Sequence, residues 1–125
     1  MKANELMIGD WVSTPKGNYQ IDCIQDNDVV GTTYNNGEGV ESLFHINKIE
    51  PIPLTPEILK KNRWVYIAED KVFYPENLKG ELPWIYYITD GSNEVFRMQD
   101  FCNLQYVHQL QHALRLCLIE KTIEL

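Results

Sequence analysis

Two histidines near the end of the chain have a spacing that could hold a metal ion. His108 and His112 lie four residues apart in a stretch with a helical apolar pattern, so they share one helix face. The zinc-hydrolase motif needs a glutamate after its first histidine, and Gln109 at that position cannot act as a general base. We therefore predict two partly exposed histidines that form hydrogen bonds at the edge of a packed helix. A metal site at His108 and His112, in a small metal-dependent hydrolase, is the alternative.

The thiols and the acidic clusters predict no further site. The chain has three cysteines and no CxxC pair, which argues against a disulfide framework and against structural zinc. We expect reduced, buried thiols at Cys23 and Cys117, and a more accessible thiol at Cys102, which precedes the final helix. The acids Asp22, Asp26 and Asp28 lack the spacing of a calcium-binding EF-hand loop and predict a solvated edge. No cofactor is predicted.

Aromatic side chains in the first third of the chain are candidates for binding. Aromatic residues between the loops of a small barrel can hold a peptide or stack on bases. The candidates are Trp11, Tyr19, Tyr34 and Phe44. The competing interpretation is that most of them are packing residues of the core, and burial of Trp11 and Tyr34 on one face would favour it.

The elements around these aromatic residues are short strands joined by tight turns. Alternating and β-branched residues predict strands from Trp11 onward, with the clearest hairpin turn at Asn35–Gly39 and a short fifth strand over Ile46–Ile49. Closely spaced strands favour a small SH3-like β-barrel over residues 1–50, because closure removes exposed sheet edges.

A proline-rich junction over residues 51–56 follows the predicted barrel, since its prolines disfavour regular strand pairing. Thr55 and Pro56 predict the start of a short helix, as N-cap and first helical residue. Residues 57–125 predict a small antiparallel sheet within Trp64–Met98 and a final helix whose apolar stripe begins at Val107. The predicted fold class is α+β, with an N-terminal SH3-like barrel followed by a small antiparallel sheet with two helices.

The charge of the chain indicates which partners suit it. The net charge is −7, which opposes binding to the phosphates of nucleic acids and to an anionic membrane surface. An acidic surface favours a basic patch on a protein partner. No apolar run approaches the roughly 20 residues of a membrane span. The first residues do not have the pattern of a signal peptide, so we expect a cytoplasmic protein.

Asn4–Val12, Ile49–Leu59 and Tyr106–Gln111 carry a pattern that spans most of the chain. In this order they resemble a family of small proteins encoded by prophages and mobile elements of gut bacteria. The family pattern runs from an "LRIGNWV"-like start through "IEPIPLTEEIL" to "YVHQLQN", and His112 stands where the family tends to have asparagine. The resemblance implies a bacterial or phage cytoplasmic protein and supplies no catalytic residues.

These observations together predict a non-enzymatic binding or accessory module. Its barrel or its sheet would engage a protein partner, such as a phage or host component. A first alternative is contact with nucleic acid through the barrel aromatics, with Lys60, Lys61 and Arg63 as a local basic spot. The second alternative is the metal-dependent hydrolase.

Overall fold

The computed structural model describes residues 5–33, 40–76, 84–90, 93–98, 102–117 and 122–125. Within these residues, two antiparallel sheets and two α-helices follow one another along the chain. This arrangement confirms the predicted α+β class.

The first sheet is a meander whose last strand returns to pair with its first. Its strands in the described part of the chain are β1 (Trp11–Thr14), β2 (Gly17–Gln25), β3 (Val29–Thr33), β4 (Val40–His45) and β5 (Glu50–Pro51). The strand order is β4-β3-β2-β1-β5, with antiparallel neighbours. Among the described residues no pairing joins β4 to β5, so the sheet does not close into a barrel there. The predicted hairpin turn at Asn35–Gly39 lies outside the described residues.

The prediction of a strand over Ile46–Ile49 was wrong. The chain forms a 3-10 turn at Ile46–Lys48, and β5 begins directly after the segment. The two isoleucines that bound the segment are both buried. Residues three apart face one side of a 3-10 turn but opposite faces of a strand, so burial of both favours the turn. The Nδ1 atom of His45 accepts a hydrogen bond from the backbone N–H of Asn47 at 3.2 Å.

The proline-rich junction takes part in strand pairing, contrary to the prediction. Pro51 of β5 lies opposite Val12 of β1, and Pro53 forms an isolated β-bridge with Tyr106. β5 is an edge strand, and an edge tolerates proline because one side of it needs no ladder hydrogen bond.

The second sheet has the strand order β10-β9-β8-β7-β6, again with antiparallel neighbours. Its strands in the described residues are β6 (Trp64–Ile67), β7 (Val72–Pro75), β8 (Ile85–Asp90), β9 (Asn93–Met98) and β10 (Cys102–Leu104). Strand β10 was not predicted, because three residues are too few to display an alternating pattern.

The register of the second sheet gives it an inner face and an outer face, since neighbouring side chains along a strand point to opposite sides. One row across the inner face consists of Tyr66, Phe73, Ile85 and Met98. One row across the outer face consists of Ile67, Val72, Tyr86, Arg97 and Asn103. The inner face packs against the helices.

The two helices are α1 (Pro56–Lys61) and α2 (Val107–Leu116). The predicted start of α1 is confirmed: the Oγ1 atom of Thr55 accepts a hydrogen bond from the backbone N–H of Ile58 at 3.2 Å. The apolar stripe of α2 packs on the second sheet, with Val107, Leu110 and Leu114 buried among the inner-face residues.

The buried apolar residues form two clusters. The smaller cluster consists mainly of side chains from the first sheet and includes Val12, Ile21 and Val30. The larger cluster joins the second sheet to both helices and begins at Ile52. The division of the chain at residues 51–56 stays a prediction.

Candidate functional site

The two histidines that suggested chemistry lie on the side of α2 that faces the first sheet. The Nε2 atom of His112 is 2.6 Å from the Oδ2 atom of Asp10, just before β1. His108 is only 5% exposed, and its ring stacks on that of Tyr106 at a centroid distance of 5.9 Å. The prediction that both histidines are partly exposed was therefore wrong for His108, because this side of α2 packs against the chain and not against solvent.

Asp10 is the centre of this arrangement. Its side chain is completely buried, and its carboxylate also accepts hydrogen bonds from the backbone N–H of Met7 at 2.7 Å and from the Nη1 atom of Arg115 at 3.3 Å. Arg115 donates a further bond from Nη2 to the carbonyl oxygen of Ile8 at 3.1 Å. A buried carboxylate needs such partners, because an unpaired charge in the interior is costly.

The amide of Gln111 completes the contact between α2 and the first sheet. Its Oε1 atom accepts a bond from the backbone N–H of Trp11 at 2.9 Å, and its Nε2 atom donates to the carbonyl oxygen of Gly9 at 2.9 Å. We call Asp10, His108, Gln111, His112 and Arg115 the junction cluster.

The junction cluster offers an oriented aspartate–histidine pair but a poor metal site. Among the described residues no three histidine, cysteine or acidic side chains converge to hold an ion. Burial lowers the pKa of His108 below its ordinary value of 6.5; the Asp10 carboxylate opposes that shift and His112 adds to it. The Nδ1 atom of His108 is buried and has no hydrogen-bond partner in the described part of the chain. Metal binding at His108 and His112 stays a prediction.

The structure separates the aromatic residues that the sequence suggested for binding. The indole of Trp11 packs against the larger core and donates a hydrogen bond to the carbonyl oxygen of Ile123 at 2.7 Å. Tyr19 lies opposite Val12, so it faces the other side of the β1–β2 ladder from Trp11. Phe44 packs against the smaller core, and Tyr34 lies outside the described residues. Trp11, Tyr19 and Phe44 therefore do not line one groove, and their role in binding stays a prediction.

The thiols of Cys23 and Cys117 and the acids at the end of β2 lie outside the core. Cys23 and Cys117 are free and half-buried, where buried thiols were predicted. The side chain of Cys102 lies outside the described part of the chain. Asp26 and Asp28 are exposed, as expected of a solvated edge, whereas Asp22 is half-buried.

A concave aromatic site lies where α1 meets the inner face of the second sheet. This cleft, which we call the aromatic cleft, has a volume of about 330 Å³ and is lined by Pro56, Lys60, Tyr66, Phe73, Tyr87 and Thr89. Its lining combines aromatic rings with a lysine and a threonine, and concave sites are where proteins most often bind ligands.

Aromatic contacts hold the floor and walls of the cleft in place. The Tyr66 ring centroid lies 4.8 Å from that of Phe73 and 6.0 Å from that of Tyr87. The hydroxyl of Tyr87 donates a hydrogen bond to the Oε1 atom of Glu94 at 2.7 Å. That bond to a carboxylate, together with burial and the charges of Glu94 and Glu57, raises the pKa of Tyr87 to about 12.

The outer face of the second sheet is the other conspicuous surface. Val65, Tyr86 and Ile88 lie on it and are 37%, 38% and 49% exposed. Half-buried Ile67 and Val95 lie on the same face.

Sequence reasoning missed Asp10, the aromatic cleft and the outer face. The available signal for Asp10 was an acid inside the otherwise apolar run Met7–Val12. The signal for the two surfaces was the apolar character of both alternating positions in Ile85–Ile88, since a sheet with one solvated face would alternate with polar residues.

No family model, curated protein or solved structure matches the chain. Within the described residues, no helix is both long enough and apolar enough to cross a membrane.

Proposed function

We propose that the protein is a non-enzymatic binding module that docks a protein partner on the outer face of its second sheet. The observation that carries the proposal is the exposure of three apolar outer-face side chains, Val65, Tyr86 and Ile88, each of which is more than a third exposed. An exposed apolar patch on a folded chain commonly marks an interaction site.

The size of this face favours a limited docking site over a permanent interface. Five strands about 4.8 Å apart, each about 17 Å long, give a face on the order of 300 Å². A standard protein interface buries about 800 Å² on each partner. The face is therefore the apolar centre of a modest interface, whose remaining contacts come from its polar surroundings.

Charge selects the kind of partner. Each copy of the chain carries a net charge of −7, so two copies repel each other at low salt. A partner whose apolar patch is surrounded by lysine and arginine is attracted instead, and its encounter is faster at low salt. The proposed occupant is therefore a protein whose apolar-centred surface is surrounded by basic residues and carries an acidic group opposite exposed Arg97, which lies beside Tyr86 on the outer face. It is in line with the bacterial or phage setting that the family resemblance implies.

The experiment is affinity capture with a matched pair of variants. Ile88→Glu places a charge on the outer face, and Leu43→Glu places one on the first sheet, where Leu43 is 54% exposed. We expect the same protein to be captured from bacterial lysate by the unchanged chain and by Leu43→Glu, and lost with Ile88→Glu. Raising the salt concentration should release it.

Two results would overturn this proposal. One is equal capture by all three proteins, which would move the docking site away from the outer face. The other is a dimer in sedimentation experiments that Ile88→Glu dissociates, which would make the face an interface between two copies. Circular dichroism of each variant confirms that the fold is retained.

We also propose that the first sheet is an open form of the SH3-like barrel. Supporting features are the return of β5 to β1 and the 3-10 turn that precedes β5. Nucleic-acid contact remains the second candidate, because Lys60, Lys61 and Arg63 are exposed in one short stretch. Salt-sensitive binding of an oligonucleotide, lost when these three residues are changed to glutamine, would favour it.

A further inference from the structure

We propose that the aromatic cleft is a cation-binding site that takes the side chain of an arginine from a protein segment. The cleft lies on the opposite face of the second sheet from the proposed docking surface. The proposal goes beyond the proposed function and does not depend on it.

Three aromatic side chains line the cleft. Tyr66 is 38% exposed and Tyr87 is half-buried, whereas Phe73 is 1% exposed and supports the two tyrosines from below. The Phe73 and Tyr87 rings are stacked, with centroids 6.0 Å apart and an interplanar angle of 27°. The face of an aromatic ring carries partial negative charge and attracts a cation placed over it.

A carboxylate adds to this attraction. Glu94 is exposed and holds the Tyr87 hydroxyl at 2.7 Å, and an ionised carboxylate has acceptor sites beyond the one that this bond uses. Glu57 has the smallest effect of the groups that raise the pKa of Tyr87, and it lines a different depression together with Lys61. A tyrosine phenol is neutral at physiological pH even at its ordinary pKa of 10.0, so Tyr87 donates to Glu94 under these conditions.

Lys60 is the one described cation among the lining residues, and its charge opposes a cationic ligand. It lies three residues after Glu57 on α1, a spacing at which side chains of opposite charge are neighbours. The Glu94 carboxylate offsets the charge of the Lys60 ammonium, so the aromatic rings supply the remaining attraction for a cation. Lys60 also distinguishes the two signs of ligand charge. Its removal should strengthen the binding of a cation, whereas it should weaken the binding of an anion.

Arginine suits the cleft better than lysine. Its guanidinium is planar, stacks on aromatic rings and can form paired hydrogen bonds with a carboxylate, whereas the lysine ammonium is a compact and strongly hydrated charge. A volume of about 330 Å³ accommodates one such side chain with its apolar stem along the rings.

The test is a titration of the full chain, labelled for nuclear magnetic resonance, with blocked tripeptides. The probe is acetyl-Gly-Arg-Gly-amide, and matched peptides carry lysine, leucine or glutamate at the centre. We expect saturable shifts of the signals of Lys60, Tyr87 and Thr89 with the arginine peptide, weaker shifts with lysine and none with glutamate.

Variants of the cleft test whether it prefers a positively charged ligand. Glu94→Gln should weaken binding of the arginine peptide about fivefold, and Tyr66→Leu, which keeps an apolar wall without an aromatic face, should weaken it by a similar factor. Lys60→Gln should tighten binding about twofold to threefold. Glu50→Gln, an exposed acid on β5, is the matched control and should change nothing.

Three outcomes would overturn the proposal. The first is preference for the glutamate peptide with loss of binding in Lys60→Gln, which would make the cleft an anion site. The second is equal binding of the leucine peptide, which would show an apolar site. The third is no shift with any peptide at tens of millimolar. None of these outcomes affects the docking proposal, because Ile88→Glu probes the other face.

Discussion

The Nε2 atom of His112 lies 2.6 Å from the Oδ2 atom of Asp10, although 102 residues separate the two in the chain. The apolar side of α2 packs on the second sheet, and its polar side meets the first sheet through this pair and through Gln111. Helix α2 therefore contacts both sheets, and the junction cluster fixes how the first sheet sits on it.

Replacement of Asp10 by asparagine should destabilise the whole chain. The buried carboxylate accepts bonds from Met7, His112 and Arg115, and an amide offers one acceptor oxygen in place of two. Because His112 and Arg115 are partly exposed, we expect a loss of about 2–3 kcal/mol in the free energy of unfolding. Urea denaturation measures it, with exposed Asp70→Asn as the control. If Asp10→Asn has the same midpoint of urea denaturation as the control Asp70→Asn, the Asp10 carboxylate contributes no net stability.

Replacement of Gly9 by alanine should be costly in two ways. Gly9 has φ of +93°, and a Cβ atom there would lie 3.1 Å from the Nη2 atom of Arg115. Gly17 has φ of +126°, but its nearest neighbour would be the Tyr19 ring at an unstrained 3.8 Å. Both alanine variants should therefore carry backbone strain, and Gly9→Ala should also disturb Arg115.

A double-mutant cycle isolates the second cost of Gly9→Ala. In an Arg115→Ala background the crowding disappears, so the destabilisation by Gly9→Ala should fall by about 0.5–1 kcal/mol, measured by urea denaturation. Gly17→Ala should cost the same in both backgrounds. An additive cycle for Gly9 would mean that the Arg115 side chain moves aside without loss.

Local signals in the sequence were sufficient for several elements. Thr55 followed by Pro56 predicts the start of α1 because the hydroxyl and the missing N–H act within one helical turn. The stripe through Val107, Leu110 and Leu114 predicts α2 and the side that it buries. The error at Ile46–Ile49 has a local cause too, since four residues rich in isoleucine suit a strand or a 3-10 turn equally well.

The candidate sites depend on tertiary contacts that no local pattern contains. The spacing of His108 and His112 places them on one face but does not indicate that Asp10 meets that face. The aromatic cleft likewise brings Lys60 of α1 together with Tyr66 and Tyr87 of two different strands. A charge count treats Asp10 as one more surface acid, and only the packing of α2 reveals it as buried.

The ionisation of Tyr87 should depend on Glu94. The hydrogen bond to this carboxylate is the largest cause that raises the pKa of Tyr87 to about 12. Glu94→Gln removes the negative charge, so the pKa of Tyr87 should move down towards its ordinary value of 10.0. Resonances of ring-labelled tyrosine, followed as the pH rises from 9, measure the shift. Glu50→Gln serves as the control, and an unchanged Tyr87 titration in Glu94→Gln would contradict the assigned cause.

The burial of His108 should make the protein less stable in mild acid. Its pKa is lowered in the folded state, chiefly by burial, from an ordinary value of 6.5 that applies to the unfolded chain. Below pH 6.5 the unfolded chain therefore takes up a proton that the folded protein resists, so stability falls as the pH decreases towards the folded-state pKa. Asp10 and Glu5 act against this shift, and His112 acts with it.

Two variants test this cause. His108→Phe keeps a ring beside Tyr106, and His108→Gln keeps a polar group. In both variants we expect the free energy of unfolding to depend less steeply on pH than in the unchanged chain. The midpoints of urea denaturation, measured between pH 5 and pH 8, give this pH dependence. If the midpoints of the variants change with pH as steeply as those of the unchanged protein, His108 does not resist protonation in the folded state.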